Sequence, residues 1–312
     1  MGEQVVRRLK LNELRLLRAV VDFGAMAKAA AHLNITQPAV SKGIAALEKT
    51  VGVPLVDRTP HGIVPTMYGE VLLNGAAAVF DDLKQSINQI DFLNNPMVGD
   101  LRFGTIEHLT ASFVPTTINR LAKSHSRFNF HVEEISVSAL QYRALRDRNV
   151  EFVISRLPDV KAIPDMRIEV LFDDQVFVAA GVNNPWAKRR HVKLSDLIDE
   201  PWSHPPYAGI VGPIIIDAFR TQGLEPPQGV SCFNMQMHRA LLATGRYLAI
   251  LPNSLVRFGP DRWTIKRLPI VLSKRPLPVG IVSLKDRTMS PIARLFIECA
   301  RDVAKQTSES VG

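Results

Sequence analysis

The sequence of 312 residues predicts a small α-helical domain, one long helix and a larger α/β domain, in that order. Three observations predict this arrangement. Two short helical patterns separated by a tight turn occur near the N-terminus, one apolar stripe with helical spacing follows Thr66, and short apolar strands alternate with helices from Gly99 onward. The expected boundaries are residues 1–65, 66–95 and 96–312.

The N-terminal domain contains two helices joined by a tight turn. The first places Ala29 and Leu33 on one face, where small residues allow a second helix to cross closely. Asn34 tolerates the left-handed conformation that ends a helix. Thr36 is the expected N-cap of the second helix, and Pro38 in its first turn has no N–H to satisfy. The second helix therefore begins directly after the turn.

The second helix has one inward and one outward face. Val40, Ile44 and Leu47 recur at helical spacing and are expected in the core. The outward face carries amide, hydroxyl and ammonium groups, which can pair with bases or phosphates in a major groove. Gly43 lowers helix stability by about 1 kcal/mol relative to Ala, and the sequence leaves open whether it permits close approach to DNA or has no role. The expected DNA contacts are Thr36, Gln37, Pro38, Ala39, Ser41, Lys42 and, in a following wing, Arg58.

Any helical hairpin shares this periodicity, but the surrounding residues form a longer pattern. The order AA-x-x-L, TQPAVS-x-x-I-x-x-LE, G-x-x-L-x-x-R and P-T-x-x-G extends from Ala29 to Gly69. It resembles the winged helix-turn-helix domain of the LysR-type transcriptional regulators, and its last part resembles the branch that regulates sugar and aromatic-acid catabolism. Ala25 and Ala27 depart from the family pattern, because a Ser or Thr usually caps the first helix there. Val56 replaces the usual Phe.

Composition agrees with a folded regulator. Apolar residues make up 46% and charged residues 22%, and the formal net charge is +8. Most of the basic excess lies outside the first 65 residues, so charge supports DNA binding only weakly. The sequence shows no membrane-spanning run and no signal-peptide pattern, which predicts a cytoplasmic protein. Cys232 and Cys299 are far apart and flanked by apolar residues, which favours reduced thiols over a disulfide, a metal site or a redox switch.

Residues 66–95 are expected to form one long helix. Its apolar residues recur at intervals of three or four, as in a coiled-coil seam, and the pattern ends at Pro96. A seam implies a homodimer and a DNA site with approximate two-fold symmetry. The family resemblance implies the same pairing, a tetramer and a contact with RNA polymerase. The alternative is burial against the chain's own C-terminal domain. The residues of the stripe are Leu72, Ala76, Val79, Leu83, Ile87 and Ile90.

The C-terminal part alternates strands with helices, which predicts a mostly parallel sheet. It resembles the effector-binding domain of LysR-type regulators, which is similar to two-lobed periplasmic solute-binding proteins. The expected lobes are about 96–170 with 272–304, and about 171–271. Ligands bind beyond the carboxyl ends of such strands, so the loops after Ile106, Ile135 and Ile154 are expected to form the site.

Polar residues in these loops predict a small organic acid or sugar-type effector, with an anion favoured. His108 stands where the family often has a ligand-contacting hydroxyl, Ser138 begins an expected helix, and Arg156 could grip a carboxylate. The alternatives are a helix cap for Ser138, a solvated ring for the histidines, and an ion pair of Arg156 with Asp159 or Glu151. The expected effector contacts are His108, Ser138, Arg156, His204, Pro205 and Gln236, the last on a facing strand.

No catalytic residue, cofactor or metal site is expected. The sequence has no G-x-S-x-G, H-E-x-x-H, phosphate-binding glycine loop or C-x-x-C motif. A solute-binding protein, or an enzyme with an unrecognised site, is the alternative to a regulator. The expected mechanism is a population shift, in which ligand closes the lobes, reorients dimers and changes DNA spacing or bend.

Overall fold

The computed structural model describes residues 2–135, 142–157, 163–259, 264–273, 275 and 277–306. The chain forms two compact units, residues 1–84 and 85–312. The first contains α1 (Gly2–Arg8), α2 (Leu11–Phe23), α3 (Met26–His32), α4 (Gln37–Val51), β1 (Val56–Thr59), β2 (Gly62–Pro65) and most of α5 (Met67–Asn94). Among the described residues, no helix is long and apolar enough to cross a membrane.

The turn between α3 and α4 forms as the sequence predicts. Asn34 adopts a φ of 53°, in the left-handed region. Thr36 occupies the N-cap of α4 with extended backbone, and its carbonyl accepts from the N–H of Ala39 at 3.0 Å. The Thr36 hydroxyl makes no capping bond, and Ala25 caps α3 without a side-chain bond. Backbone bonds alone therefore define both helix starts.

Gly43 allows α4 to pack closely against α2. A Cβ atom built on Gly43 would overlap Cδ1 of Leu16, which is buried in the core of this unit. This packing role is one that the sequence did not indicate. The position of Gly43 is explained by helix packing, which offsets the lower helix propensity of glycine.

The long helix α5 is continuous over 28 residues. Leu72 and Ala76 contribute to the core of the first unit. Val79, Leu83, Ile87 and Ile90 are exposed in the single chain. The apolar stripe that the sequence predicts therefore lies on one continuous helix.

The second unit contains two lobes, each with a five-stranded sheet. Its elements in chain order are β3 (Val98–Thr105), α6 (Glu107–Thr110), α7 (Phe113–Ala122), β4 (Arg127–Glu134), α8 (Arg143–Arg146), β5 (Val153–Arg156), β6 (Met166–Asp173), β7 (Val176–Gly181), β8 (Trp202–His204), α9 (Gly212–Arg220), β9 (Gly229–Ser231), α10 (Met235–Ala243), β10 (Leu248–Pro252), α11 (Ser254–Arg257), β11 (Ile265–Arg267), β12 (Pro278–Leu284) and α12 (Pro291–Gln306). Two short 3₁₀ helices, Pro185–Lys188 and Leu194–Leu197, follow β7.

The sheets are mixed rather than mostly parallel. Lobe 1 has the order β4-β3-β5-β12-β6, in which β3 is parallel to β4 and β5, whereas β12 is antiparallel to β5 and β6. Lobe 2 has the order β11-β7-β10-β8-β9, with β8 parallel to its neighbours and β7 antiparallel to both of its own. The prediction of mostly parallel sheets is wrong for the strands that join the lobes, because the chain reverses direction there.

The chain crosses between the lobes twice. It leaves lobe 1 where β6 ends at Asp173 and returns where β12 begins at Pro278. The expected lobe limits lie a few residues before these crossings. Each lobe has its own apolar core, centred on Phe103 and Phe296 in lobe 1 and on Trp202 and Phe219 in lobe 2.

Candidate functional site

The outward face of α4 presents the side chains that the sequence assigns to DNA contact. Thr36, Gln37, Pro38, Ala39 and Lys42 are exposed, and Ser41 is half-buried. On the opposite face Val40, Ile44 and Leu47 are buried in the core. The first two turns of α4 therefore offer an amide, a hydroxyl and an ammonium group to a partner, while the opposite face packs in the core.

The hairpin of β1 and β2 is the wing, and it is tied to the helices at two points. The carboxylate of Glu48 on α4 accepts from the backbone N–H groups of Leu55 at 2.8 Å and Val56 at 3.4 Å. Ile63 donates its N–H to the carbonyl of Gly24 at 2.8 Å. Arg58 is exposed on β1. Glu48 is a positioning residue that the sequence analysis missed, although it stands within the quoted motif.

A second candidate site is a cleft of about 170 Å³ between the two lobes of the second unit. Ile106, Ile135 and Arg156 line it from lobe 1. They lie at or just after the strand ends where the sequence predicts a site. Lobe 2 contributes apolar side chains that include Val176, Phe233 and Ile250. The walls are therefore largely apolar, and a few polar groups converge between them, as in many small-molecule sites.

The structure brings together three of the six side chains predicted to contact an effector. His108, Arg156 and Pro205 line the cleft. Buried His204 stacks on Tyr207 with ring centroids 4.3 Å apart. Gln236 is exposed in the first turn of α10, so its prediction on a facing strand is wrong. Ser138 lies outside the described residues.

Arg156 is buried and bound to Asp174. Its Nη1 donates to the Asp174 carbonyl at 2.6 Å and its Nη2 to Asp174 Oδ2 at 3.0 Å. The same carboxylate accepts from the N–H and hydroxyl of Ser254 at 2.6 and 3.0 Å. Burial opposes ionisation of Asp174, but the Arg156 charge and these donors outweigh it and lower its pKa. The partner of Arg156 is thus neither of those weighed from sequence: Glu151 accepts from Ser290, and Asp159 lies outside the described residues.

His108 lies beside this pair. Its Nε2 is 3.3 Å from Asp174 Oδ2, but the alignment is not that of a hydrogen bond. Burial lowers the pKa of His108 and outweighs the opposing effect of Asp174. The imidazole is therefore neutral at neutral pH.

Glu107 connects the two lobes and faces the cleft. Its Oε1 accepts from the N–H of Met235, the first residue of α10, at 2.8 Å. Its Oε2 is buried without a hydrogen-bond partner among the described residues. Burial raises the pKa of Glu107, Glu134 raises it further, and the Met235 N–H opposes both. Glu107 was not among the residues predicted from sequence, although it directly precedes His108 at the start of α6.

His238 also lines the cleft and has partners within lobe 2. Its Nδ1 is 2.7 Å from the Ser203 hydroxyl, and its Nε2 is 3.1 Å from the Cys232 carbonyl. Burial lowers the pKa of His238 and raises the pKa of the Cys232 thiol. Cys232 and Cys299 are free and half-buried.

Comparison with known proteins decides among the classes that the sequence left open. Residues 11–70 match "Bacterial regulatory helix-turn-helix protein, lysR family", and residues 94–305 match "LysR substrate binding domain". The chain belongs to the LysR family. It is a transcriptional regulator with an effector-binding domain, and the enzyme and solute-binding alternatives are excluded.

Relatives within the LysR family are similar over most of the chain. The chain is 26% identical to the transcriptional regulator GbpR of Azospirillum brasilense, covering 94% of this chain and 86% of that protein. It is 29% identical to the SDS degradation transcriptional activation protein of a Pseudomonas species, covering 91% and 94%. The transcriptional dual regulator GltC of Bacillus subtilis is 26% identical, covering 93% and 96%.

Solved structures of LysR-type proteins share the fold. Full-length CbnR in complex with its target DNA has a TM-score of 0.54 and 22% identity, covering 95% of this chain and all of that one. A full-length OxyR variant from Pseudomonas aeruginosa has a TM-score of 0.63 and 21% identity, covering 95% of both. The prediction of a winged helix-turn-helix domain followed by a two-lobed α/β domain is confirmed.

Proposed function

We propose that this LysR-family regulator reads DNA with the outward face of α4 and with its wing, and that a small molecule bound between the lobes modulates this binding. The observation that carries the first part is the division of α4 into a buried and an exposed face. Gln37 and Lys42 are exposed on one face, whereas Val40 and Ile44 are buried on the other. An exposed helix start of this kind can enter a major groove.

The roles of the individual side chains follow from their chemistry. Gln37 can pair bidentately with adenine, and Lys42 can contact guanine or phosphate. Thr36 and Ser41 supply hydroxyl donors, while Pro38 and Ala39 allow the start of α4 to approach closely. Arg58 on the exposed wing is suited to a phosphate contact, which adds affinity without sequence discrimination.

The exposed stripe of α5 supports a homodimer. Val79, Leu83, Ile87 and Ile90 recur at coiled-coil spacing and would be buried by a second copy of the same helix. A dimer places two α4 helices against DNA, so the expected site has approximate two-fold symmetry. Assembly into a tetramer is part of the same proposal.

The proposal of an effector site rests on the presence of the cleft. It does not require that the effector be an anion. The organic acid expected from sequence depended on Arg156 and Ser138. The charge of Arg156 is balanced by Asp174, and Ser138 lies outside the described residues. We therefore propose the cleft between the lobes as the effector site. A bound effector would shift the population between different arrangements of the two lobes.

The DNA-binding part can be tested with two lysines of the same helix. Lys42 lies on the outward face near the start of α4, and Lys49 is exposed in its last turn. Both changes to Ala remove one charge from an exposed side chain. In a footprint on the DNA upstream of the protein's own gene, Lys42→Ala is expected to weaken protection far more than Lys49→Ala. Equal effects of the two changes would mean that Lys42 contributes only non-specific charge. They would contradict the proposed orientation of α4.

A further inference from the structure

The charges around the cleft do not favour an anion. Of the described residues that line it, Glu107 and Glu134 are acidic, and Arg156 is the one full cation. Arg156 is compensated by Asp174 at 3.0 Å. His108 is neutral, because burial lowers its pKa. The described part of the cleft therefore carries a net negative charge.

Glu107 provides a buried acceptor to which none of the described residues donates. Its Oε1 binds the N–H of Met235 at the start of α10, so a carboxylate of the protein already occupies that helix terminus. Its Oε2 is buried and has no donor among the described residues. A buried acceptor without a donor is unfavourable, and more so when it is charged. A ligand with a positively charged donor would supply the missing hydrogen bond and would also balance the buried negative charge.

The walls of the cleft suit the apolar body of such a ligand. Phe233 is 53% exposed although it lines the cleft, and its ring offers a face that attracts cations. The remaining walls include Ile106, Val176 and Ile250. The cleft volume of about 170 Å³ is close to that of an apolar cavity of about 150 Å³ known to hold benzene. A body of about one ring therefore fits.

We propose that the effector is a small protonated amine with an apolar body of about one ring, whose ammonium group donates to Glu107 Oε2. Glu134 adds a second negative charge near the ammonium group, and Phe233 contacts the ligand body. This inference rests on the proposal that the cleft is the effector site. Because Glu107 accepts from Met235 across the cleft, an ammonium bound to the same carboxylate would join lobe 1, the ligand and lobe 2.

Three probes of matched shape test the inference on the full-length protein. Benzylamine, benzyl alcohol and benzoate differ in charge but share one ring. Calorimetry is expected to show the tightest binding for benzylamine, and the change Glu107→Gln is expected to weaken it about 10- to 100-fold. The Gln side chain keeps an acceptor for Met235, so the lobe contact survives.

A cleft-filling variant separates the two proposals. Ile210 is half-buried and lines the cleft, so Ile210→Trp should occupy it with little effect on folding. If benzoate or benzyl alcohol binds best and Ile210→Trp abolishes that binding, the amine is overturned and the cleft proposal stands. If no probe binds at millimolar concentration, the amine is likewise overturned. If benzylamine binds equally to wild type and Ile210→Trp, its site lies elsewhere and the cleft is not supported as the effector site. DNA binding is tested independently by the footprint.

Discussion

Asp174 binds Arg156 at the crossing between the two lobes, with Oδ2 3.0 Å from Nη2. Arg156 ends β5 in lobe 1, whereas Asp174 directly follows β6 where the chain leaves that lobe. Ser254 of lobe 2 donates twice to the same carboxylate. The pair therefore links the cleft to both lobes.

Breaking this buried pair should strongly destabilise the protein. The exposed fractions of the two side chains are 5% for Arg156 and 0% for Asp174. Removing one partner from such a pair is expected to lower the free energy of unfolding by about 3–5 kcal/mol. We expect this for Arg156→Met and for Asp174→Asn, measured by urea denaturation followed by circular dichroism.

A second, more exposed ion pair serves as the control. Arg301 donates to both Glu169 oxygens at 2.6 and 2.8 Å, but the side chains are 44% and 37% exposed. Exposed pairs contribute about 0–1 kcal/mol. Arg301→Met should therefore have a small effect. A loss as large as that of Arg156→Met would mean that burial is not what makes the Asp174 pair important.

The packing of Gly43 against Leu16 can be measured as a coupling. Gly43→Ala gains helix propensity of about 1 kcal/mol, but its Cβ overlaps Leu16 Cδ1, and overpacking is expected to reverse the gain by about 1–3 kcal/mol. Combining it with Leu16→Ala should remove the overlap. In a double-mutant cycle of unfolding free energies we expect a favourable coupling of about 0.5–3 kcal/mol. Simple additivity would show that the two positions do not touch.

The exposed stripe of α5 should control self-association. Ile87→Glu places a charge in the stripe, whereas Gln89→Glu makes the same change of charge on an exposed residue outside it. Light scattering after size-exclusion chromatography should show dissociation for Ile87→Glu alone. If both variants keep the mass of the wild type, the stripe does not form the interface.

The ionisation of Glu107 makes a prediction for stability against pH. Burial raises its pKa, so the folded state binds this proton more tightly than the unfolded chain does. The stabilisation is present below the ordinary pKa of the unfolded chain and is lost as pH rises through the higher folded value. Glu107→Gln should therefore gain stability relative to wild type as pH rises through this window. The comparison uses thermal unfolding without ligand, and a gap that is the same at every pH would contradict it.

Sequence reasoning succeeded where contacts are local. The two faces of α4 follow from residue spacing alone, and the left-handed Asn34 follows from its side chain. It failed where distant segments meet. The reason for Gly43 lies in another helix, and the partner of Arg156 lies on the crossing between lobes. The antiparallel direction of β12 depends on the return of the chain from lobe 2, which no local pattern indicates.

The cleft was predictable in place but not in chemistry. Ile106, Ile135 and Arg156, which lie at or directly after the ends of β3, β4 and β5, do line it, because ligand sites form at the carboxyl ends of parallel strands. The unpaired oxygen of Glu107 results from burial and from the contact of the same carboxylate with Met235 of the other lobe. Gln236 was misplaced because the short segment before α10 lacks the periodicity that separates a strand from a helix.

The most direct test of the account is a footprint of wild type and Gln37→Ala on the DNA upstream of the protein's own gene. Gln37 is exposed at the first position of α4, and its loss leaves the core untouched. We expect protection of an approximately two-fold symmetric site by wild type, and its loss in Gln37→Ala with unchanged thermal stability. Unchanged protection by Gln37→Ala would contradict the claim that this face of α4 reads the DNA.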